Sequence, residues 1–372
     1  MICKGLLFLT LAVFYANASC EKSVVEWTGG LFNWPSATTK NIYKNSGRYV
    51  SKNIVATRGQ IFKDSAIVAL PRLKPGVPVT LATIDLRKQC CEAVLRPFPC
   101  WANQEEGSCE ALQNVVDLVV DANAILWVLD TGVVNTMTSN PIRLCPPKVV
   151  AYSLLTGKKV KTLDLSGLVV SASRLQYIAV EYAPDGRPFA YVSDAATRSI
   201  LVFDIAGNKG YRIVLPKAVT GSKRDVLYLA LTHKGCGNNF LIFTYLSGNR
   251  IYSIRTDYLR AGCAAGKIVD LGVKSKKIIL LGTDNGKALF FRNEGESQVY
   301  RWDSDKPFVP SHFELVFQGN QCQLATQVMP DNARNKIRVM ESNFPDFIQG
   351  TVGCGTSHKI SVMGGTIDHK SK

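Results

Sequence analysis

Most of what hydrolases and metalloenzymes are built from is scarce in this chain. Its 372 residues hold four histidines, His233, His312, His358 and His369, spread far apart. No Cys-x-x-Cys pair exists, so the spacing of a tetrahedral metal site is missing and no metal is expected. No Gly-x-Ser-x-Gly elbow exists, which removes the commonest serine-hydrolase signal. Thr283-Asp284-Asn285-Gly286-Lys287 lacks the spacing of a phosphate loop and reads as a hairpin turn. No cofactor is expected. His233, beside Gly235-Cys236-Gly237, reads with the other histidines as an exposed loop residue. Beyond Asn17-Ala18-Ser19 there is no Asn-x-Ser/Thr sequon, so N-glycosylation is not expected. Low-complexity tracts and long runs of like charge are also missing.

One apolar run stands at the start. Lys4, then Gly5 to Tyr15, then the small residues Ala16-Asn17-Ala18 have the three parts of a secretion signal, which assigns residues 1–18 to a cleaved leader. The run is shorter than the roughly 20 apolar residues a membrane helix needs. No transmembrane segment is expected, and the mature chain reads as exported. Residues 19–363 read as one domain and 364–372 as a flexible tail. The formal net charge of +15 is strongly basic. For an exported chain this points away from nucleic acid and toward acidic matrix proteins, sulfated glycans or membrane surfaces. The competing reading is solubility. Lys158, Lys159 and Lys161, and Lys274, Lys276 and Lys277, flank strands whose edges lysines protect.

What is abundant is a strand pattern that returns about every fifty residues. The units are Gln60-Ile61-Phe62-Lys63-Asp64, Leu126-Trp127-Val128-Leu129-Asp130, Phe189 to Asp194, Phe240 to Thr244, Ala288 to Arg292 and Ile337 to Glu341. Thr156-Gly157, Asp185-Gly186, Gly207-Asn208, Gly248-Asn249 and Asn285-Gly286 supply hairpin turns between strands. Six such units predict an all-β fold, a six-bladed β-propeller. Val24 to Trp27 is a candidate for the strand that closes the ring, followed by a polar loop to Tyr49. Val226 to Leu231 alone fits a helix, but the repeat makes it a strand.

Of eleven cysteines, Cys3 leaves with the leader. Cys20, Cys90, Cys91, Cys100, Cys109, Cys145, Cys236, Cys263, Cys322 and Cys354 remain, an even number that predicts disulfides in an exported protein. Neighbours Cys90 and Cys91 are expected to pair elsewhere. Cys20 and Cys354 are candidates for closing the ring or for bonds between molecules.

Leu126-Trp127-Val128-Leu129-Asp130-Thr131-Gly132, followed by Cys145-Pro146-Pro147-Lys148-Val149-Val150, resembles the hallmark run of the yellow and major royal jelly protein family of insects. The resemblance covers about Val24 to Gly353. Ser173 to Ile178, Gly186 to Ala196, Arg224 to Leu231 and Leu281 to Gly286 are similar to the yellow-g branch. The resemblance implies a secreted six-bladed propeller, a Cys109–Cys145 disulfide and, for that branch, a structural or assembly role in the eggshell, vitelline membrane or chorion. Eggshell or other matrix proteins, including a related yellow paralogue, are the implied partners. The alternatives it implies are a binder of a catechol or biogenic amine, and a dopachrome-conversion isomerase.

A ligand or substrate is expected at the mouth of the central channel. The ends assigned to the innermost strands carry Asp130, Asp194, Tyr245, Arg292 and Ser342-Asn343. Asn343 and Phe344 resemble part of the family's amine-binding motif. For an isomerase, Asp130 or Asp194 is the candidate base and Arg292 or Tyr245 the candidate donor. The competing reading is that these groups only satisfy one another inside the fold.

Overall fold

The computed structural model describes residues 24–87, 92–234 and 238–364. The expected leader, Cys20, Cys90, Cys91, Cys236 and the tail from residue 365 lie outside the described residues. Six four-stranded antiparallel sheets form the body. The first blade is built from Arg58–Phe62, Ser65–Ala69, Leu81–Asp85 and Arg96–Pro97. The second is Val115–Val120, Ile125–Asp130, Lys148–Ser153 and Lys159–Asp164. The third is Leu175–Tyr182, Pro188–Asp194, Ser199–Asp204 and Lys209–Val214. The fourth is Leu227–Lys234, Asn238–Tyr245, Arg250–Arg255 and Val269–Val273. The fifth is Ile278–Thr283, Ala288–Asn293, Gln298–Asp303 and Phe313–Gln318. The sixth is Leu324–Asp331, Lys336–Ser342, Ser357–Met363 and, at its outer edge, Val25–Thr28. The fold is the six-bladed propeller that the repeat predicts.

Within each blade the inner strands carry apolar residues on both faces, because neighbouring blades cover them on both sides, whereas outer strands such as Lys159–Asp164 and Phe313–Gln318 are largely exposed. Six clusters of buried side chains fill the six gaps. Between the second and third blades, for example, Trp127 and Leu129 meet Leu201 and Phe203. Between the sixth and first, Val25, Met340 and Ile360 meet Ala66, Val68 and Leu95. The first strands of successive blades contact one another all the way round, so they line the axis.

Ring closure falls where the sequence places it. Val25 pairs with Ile360 and Thr28 with Ser357. Behind this seam Trp27 stacks on His358, with ring centroids 4.6 Å apart, and His358 Nε2 accepts a hydrogen bond from the Ala56 N–H at 2.9 Å. Three details differ from expectation. His358, expected in an exposed loop, is a strand residue and only 1 % exposed. The polar stretch after the first strand contains a helix, Ala37–Asn45, started by Ser36, whose side chain accepts from Thr39 N–H. The helix buries no residue, so it leaves no apolar periodicity to read. The run Gln60 to Asp64 is not equivalent to the other five units either. It ends the first blade's axial strand, whereas the other five lie on second strands, whose counterpart is Ser65–Ala69.

Cys109 and Cys145 form a disulfide. Beside it Gly132 has φ +67°, and an added Cβ would sit 2.0 Å from the Cys145 carbonyl oxygen, so only glycine fits that turn. Cys100, Cys263, Cys322 and Cys354 are exposed free thiols and pair with none of the described cysteines. No described helix is long and apolar enough to cross a membrane.

Candidate functional site

The axial strands all start at one face of the ring and end at the other. A cavity of about 820 Å³ opens among their far ends, within the roughly 300–1,000 Å³ typical of small-molecule sites. Its wall comes from all six blades, including Gln60, Asp121, Tyr182, His233, Asp284 and Gln327. Arg58 forms the floor. Its guanidinium lies 4.4 Å over the Tyr177 ring, 3.4 Å from Asp117 Oδ1 and in contact with Gln327 Oε1. Burial raises the Asp117 carboxyl above the ordinary carboxylate range, with Arg58 opposing.

Most polar groups in the wall are already committed. Asp121 accepts from Tyr182 Oη–H at 2.7 Å and Trp127 Nε1–H at 2.8 Å, and from the N–H groups of Asn123 and Ile125. Asp284 accepts from Gly286 and Ala288 N–H and so shapes the fifth blade's hairpin. Glu181, only 2 % exposed, accepts from Tyr191 and Arg260, from Thr256 Oγ1–H at 2.9 Å and from Asn239 Nδ2–H at 2.7 Å.

His233 differs from these. Its Nδ1 lies 2.8 Å from Asn239 Oδ1. Asn239 must point its N–H group at the Glu181 carboxylate, so its oxygen faces the ring. His233 therefore carries its proton on Nδ1, and Nε2 keeps a free lone pair. This residue is part of the axial strand Leu227–Lys234 and no loop residue. Counting two by two from Leu227 through Leu229 and Leu231 reaches His233, the signal that could have placed it.

The expected site residues lie elsewhere. Asp130, Asp194, Tyr245, Arg292 and Ser342 stand at or near the ends of second strands, not innermost ones. Antiparallel pairing sets these ends opposite the starts of the axial strands, as Val115 with Asp130 and Leu175 with Asp194. They occupy the face away from the cavity opening, one to a blade, and none lines this cavity. Each is held within its own surroundings. Asp130, with no exposed surface, accepts from Gln113, Asn114 and Gly132 N–H at 2.8–3.0 Å. Asp194 accepts from Arg174 N–H and Thr197 Oγ1–H. Tyr245 donates to the Ala195 carbonyl at 2.6 Å, joining blades three and four. Arg292 donates to the Ala325 carbonyl at 2.7 Å. Ser342 Oγ is buried without a partner. Asn343 bonds Ser357 N–H and Asp346 at the start of the helix Phe344–Gln349, where Phe344 stacks on Phe347. Among the described residues no cluster has the composition of a metal site.

Asp130→Asn is accordingly expected to act on stability. The amide turns an N–H₂ group toward backbone N–H donors, costing about 2 kcal/mol. Urea denaturation checks this, and an unchanged midpoint would contradict it.

A protein-family model described as Major royal jelly protein matches residues 113–368. Among curated proteins, the Dopaminechrome tautomerase of Drosophila melanogaster is 22% identical over 348 residues, spanning 83% of this chain and 74% of its own. Protein yellow of Drosophila melanogaster is 23% identical over 378 residues, spanning 93% of this chain and 69% of its own. Among solved structures, the calcium-binding protein regucalcin from Agrobacterium tumefaciens aligns with a TM-score of 0.48 at 13% identity, covering 86% of this chain and 94% of that one.

Proposed function

We propose a function from the premise that this chain belongs to the Major royal jelly protein family, whose model matches more than half of it: it is a secreted component of an insect eggshell, vitelline membrane or chorion, linked covalently to its neighbours. The observation that carries this reading is the set of four exposed thiols, Cys100, Cys263, Cys322 and Cys354. The ring is closed by strand pairing between Val25–Thr28 and Ser357–Met363, so its closure requires none of them. In an oxidising compartment, accessible thiols on a finished fold are available for bonds between molecules. The basic charge adds a second, weaker hold on acidic matrix proteins, and a related yellow paralogue is a further partner. The test is extraction of the native protein from laid eggs. It is expected to resist high salt and to dissolve when a reductant is added. Release by salt alone would leave charge as the link and remove the thiols from the account.

A second reading is favoured by a different observation, the axial cavity with His233 in its wall. In it the protein binds, and as an isomerase converts, a small catechol or amine-derived ring compound. The likeness to a dopaminechrome tautomerase, at 22% identity, supports this only coarsely.

A further inference from the structure

We propose that His233 is the proton acceptor of a catalytic site in the axial cavity, oriented by a relay that runs His233–Asn239–Glu181. The inference rests on the second reading above, that the cavity takes a small ring compound. It concerns a residue outside the hallmark run and on the face opposite Asp130 and Asp194.

A free imidazole in solution exchanges between two tautomers and turns about two bonds. Here both freedoms are removed. Asn239 Oδ1 fixes the proton on Nδ1 at 2.8 Å and so holds the ring, while the backbone N–H of His233 donates to the Gly286 carbonyl at 2.9 Å and anchors the main chain. His233 and Asn239 face each other across the first hairpin of the fourth blade. Asn239 is in turn fixed by the Glu181 carboxylate at 2.7 Å. That carboxylate is paired with Arg260, itself largely buried, and both its oxygens accept hydrogen bonds. The chain of contacts ends in a charge that cannot turn. Among the described residues nothing bonds Nε2. An oriented base whose orienting group is anchored by a third is the arrangement found in nucleophile and proton-transfer sites.

The step balances without an oxidant. Nε2 takes a proton from the saturated ring carbon that a C=C bond joins to a carbonyl, the vinylogous position. The C–H electron pair moves into the ring and onto the carbonyl oxygen. The imidazolium then returns the proton to that oxygen, giving an isomer of the starting compound. Conversion of an aminochrome to a dihydroxyindole repeats the transfer at the neighbouring carbon. Asn239 and Glu181 are positioning residues.

The test uses the full exported chain, with dopaminechrome prepared by oxidising dopamine as the reactive probe and dopamine as an unreactive one. The wild type is expected to speed dopaminechrome decay over the blank. His233→Gln is expected to lower kcat by about 100-fold or more while dopamine binding is kept. Asn239→Ala should lower kcat more than it raises KM. If the wild type is active and His233→Gln stays within about threefold of it, the proposal is overturned while the reading of the cavity stands. Dopamine binding without any conversion has the same meaning. If the wild type neither binds dopamine nor converts the probe, the reading itself falls and the proposal with it. Should His233→Gln fail to fold, His233→Asn takes its place, and a rate within about threefold of the wild type overturns the proposal.

Discussion

Arg72→Lys is expected to destabilise the protein by about 3–5 kcal/mol, although charge and approximate length are kept. The Arg72 guanidinium is 1 % exposed and is surrounded by main-chain carbonyls. Nε donates to Val77 at 2.9 Å, and one terminal nitrogen to Leu112 at 3.0 Å and Gln113 at 2.6 Å. The other donates to Pro78 at 3.2 Å and to Gln104. The nearest carboxylate, Glu106, is 3.7 Å away and partly exposed. Burial therefore pulls the group below the ordinary guanidinium range, with Glu106 and Asp130 opposing. Five carbonyls from three chain segments converge on one planar fork. An ammonium offers three donors from a single point, so at least two carbonyls lose their partner. Each buried, unpaired carbonyl costs about 1–3 kcal/mol. Urea denaturation should show a lower midpoint at an unchanged slope. A loss below about 1 kcal/mol would mean water enters and replaces the fork.

The second large effect is on acid stability. His358 is 1 % exposed, and burial lowers its pKa to about 3. An unfolded histidine titrates near about 6.5. Between those values the unfolded chain takes up a proton that the native state refuses. The stability tied to neutral His358 is fully present above the unfolded value and drains away as pH falls toward the native one. The slope approaches about 1.4 kcal/mol per pH unit. His358→Gln, whose amide oxygen can still accept from Ala56 N–H, should lose that slope. Urea midpoints of both proteins across the window read the difference. Parallel curves would show that other groups govern acid unfolding.

The ring was legible because each blade repeats one physical problem. Leu126 to Asp130 and Phe189 to Asp194 are strands buried on both faces, and turns such as Asn285-Gly286 mark where the chain must reverse. Blade one hides its second strand because Phe62 and Ser65 are joined across only Lys63 and Asp64, so two strands merge into one apolar run. The site was less legible for a geometric reason. A run of apolar residues ending in Asp looks alike whether it lies on the axis or one strand out. Asp130 and Asp194 end such runs, yet their oxygens serve backbone N–H groups of adjoining turns. His233 was obscured by the glycines that follow it. Its role depends on Asn239 and on Glu181, a residue in another blade, and that meeting exists only once the ring is closed.

The seam between Val25–Thr28 and Ser357–Met363 also sets an order in time. Val25 must wait for Ile360, while the other blades are each made from one continuous stretch of chain. Closing so distant a contact adds little to the equilibrium cost, since loop entropy grows only with the logarithm of length. It does slow the search, because distant pairings come late. Until then the apolar sides of the first and last blades have nothing to face, and Trp27 and Met340 are open to other chains. Folding helpers would be needed most in that interval, and a chain cut short before Ser357 would remain in it.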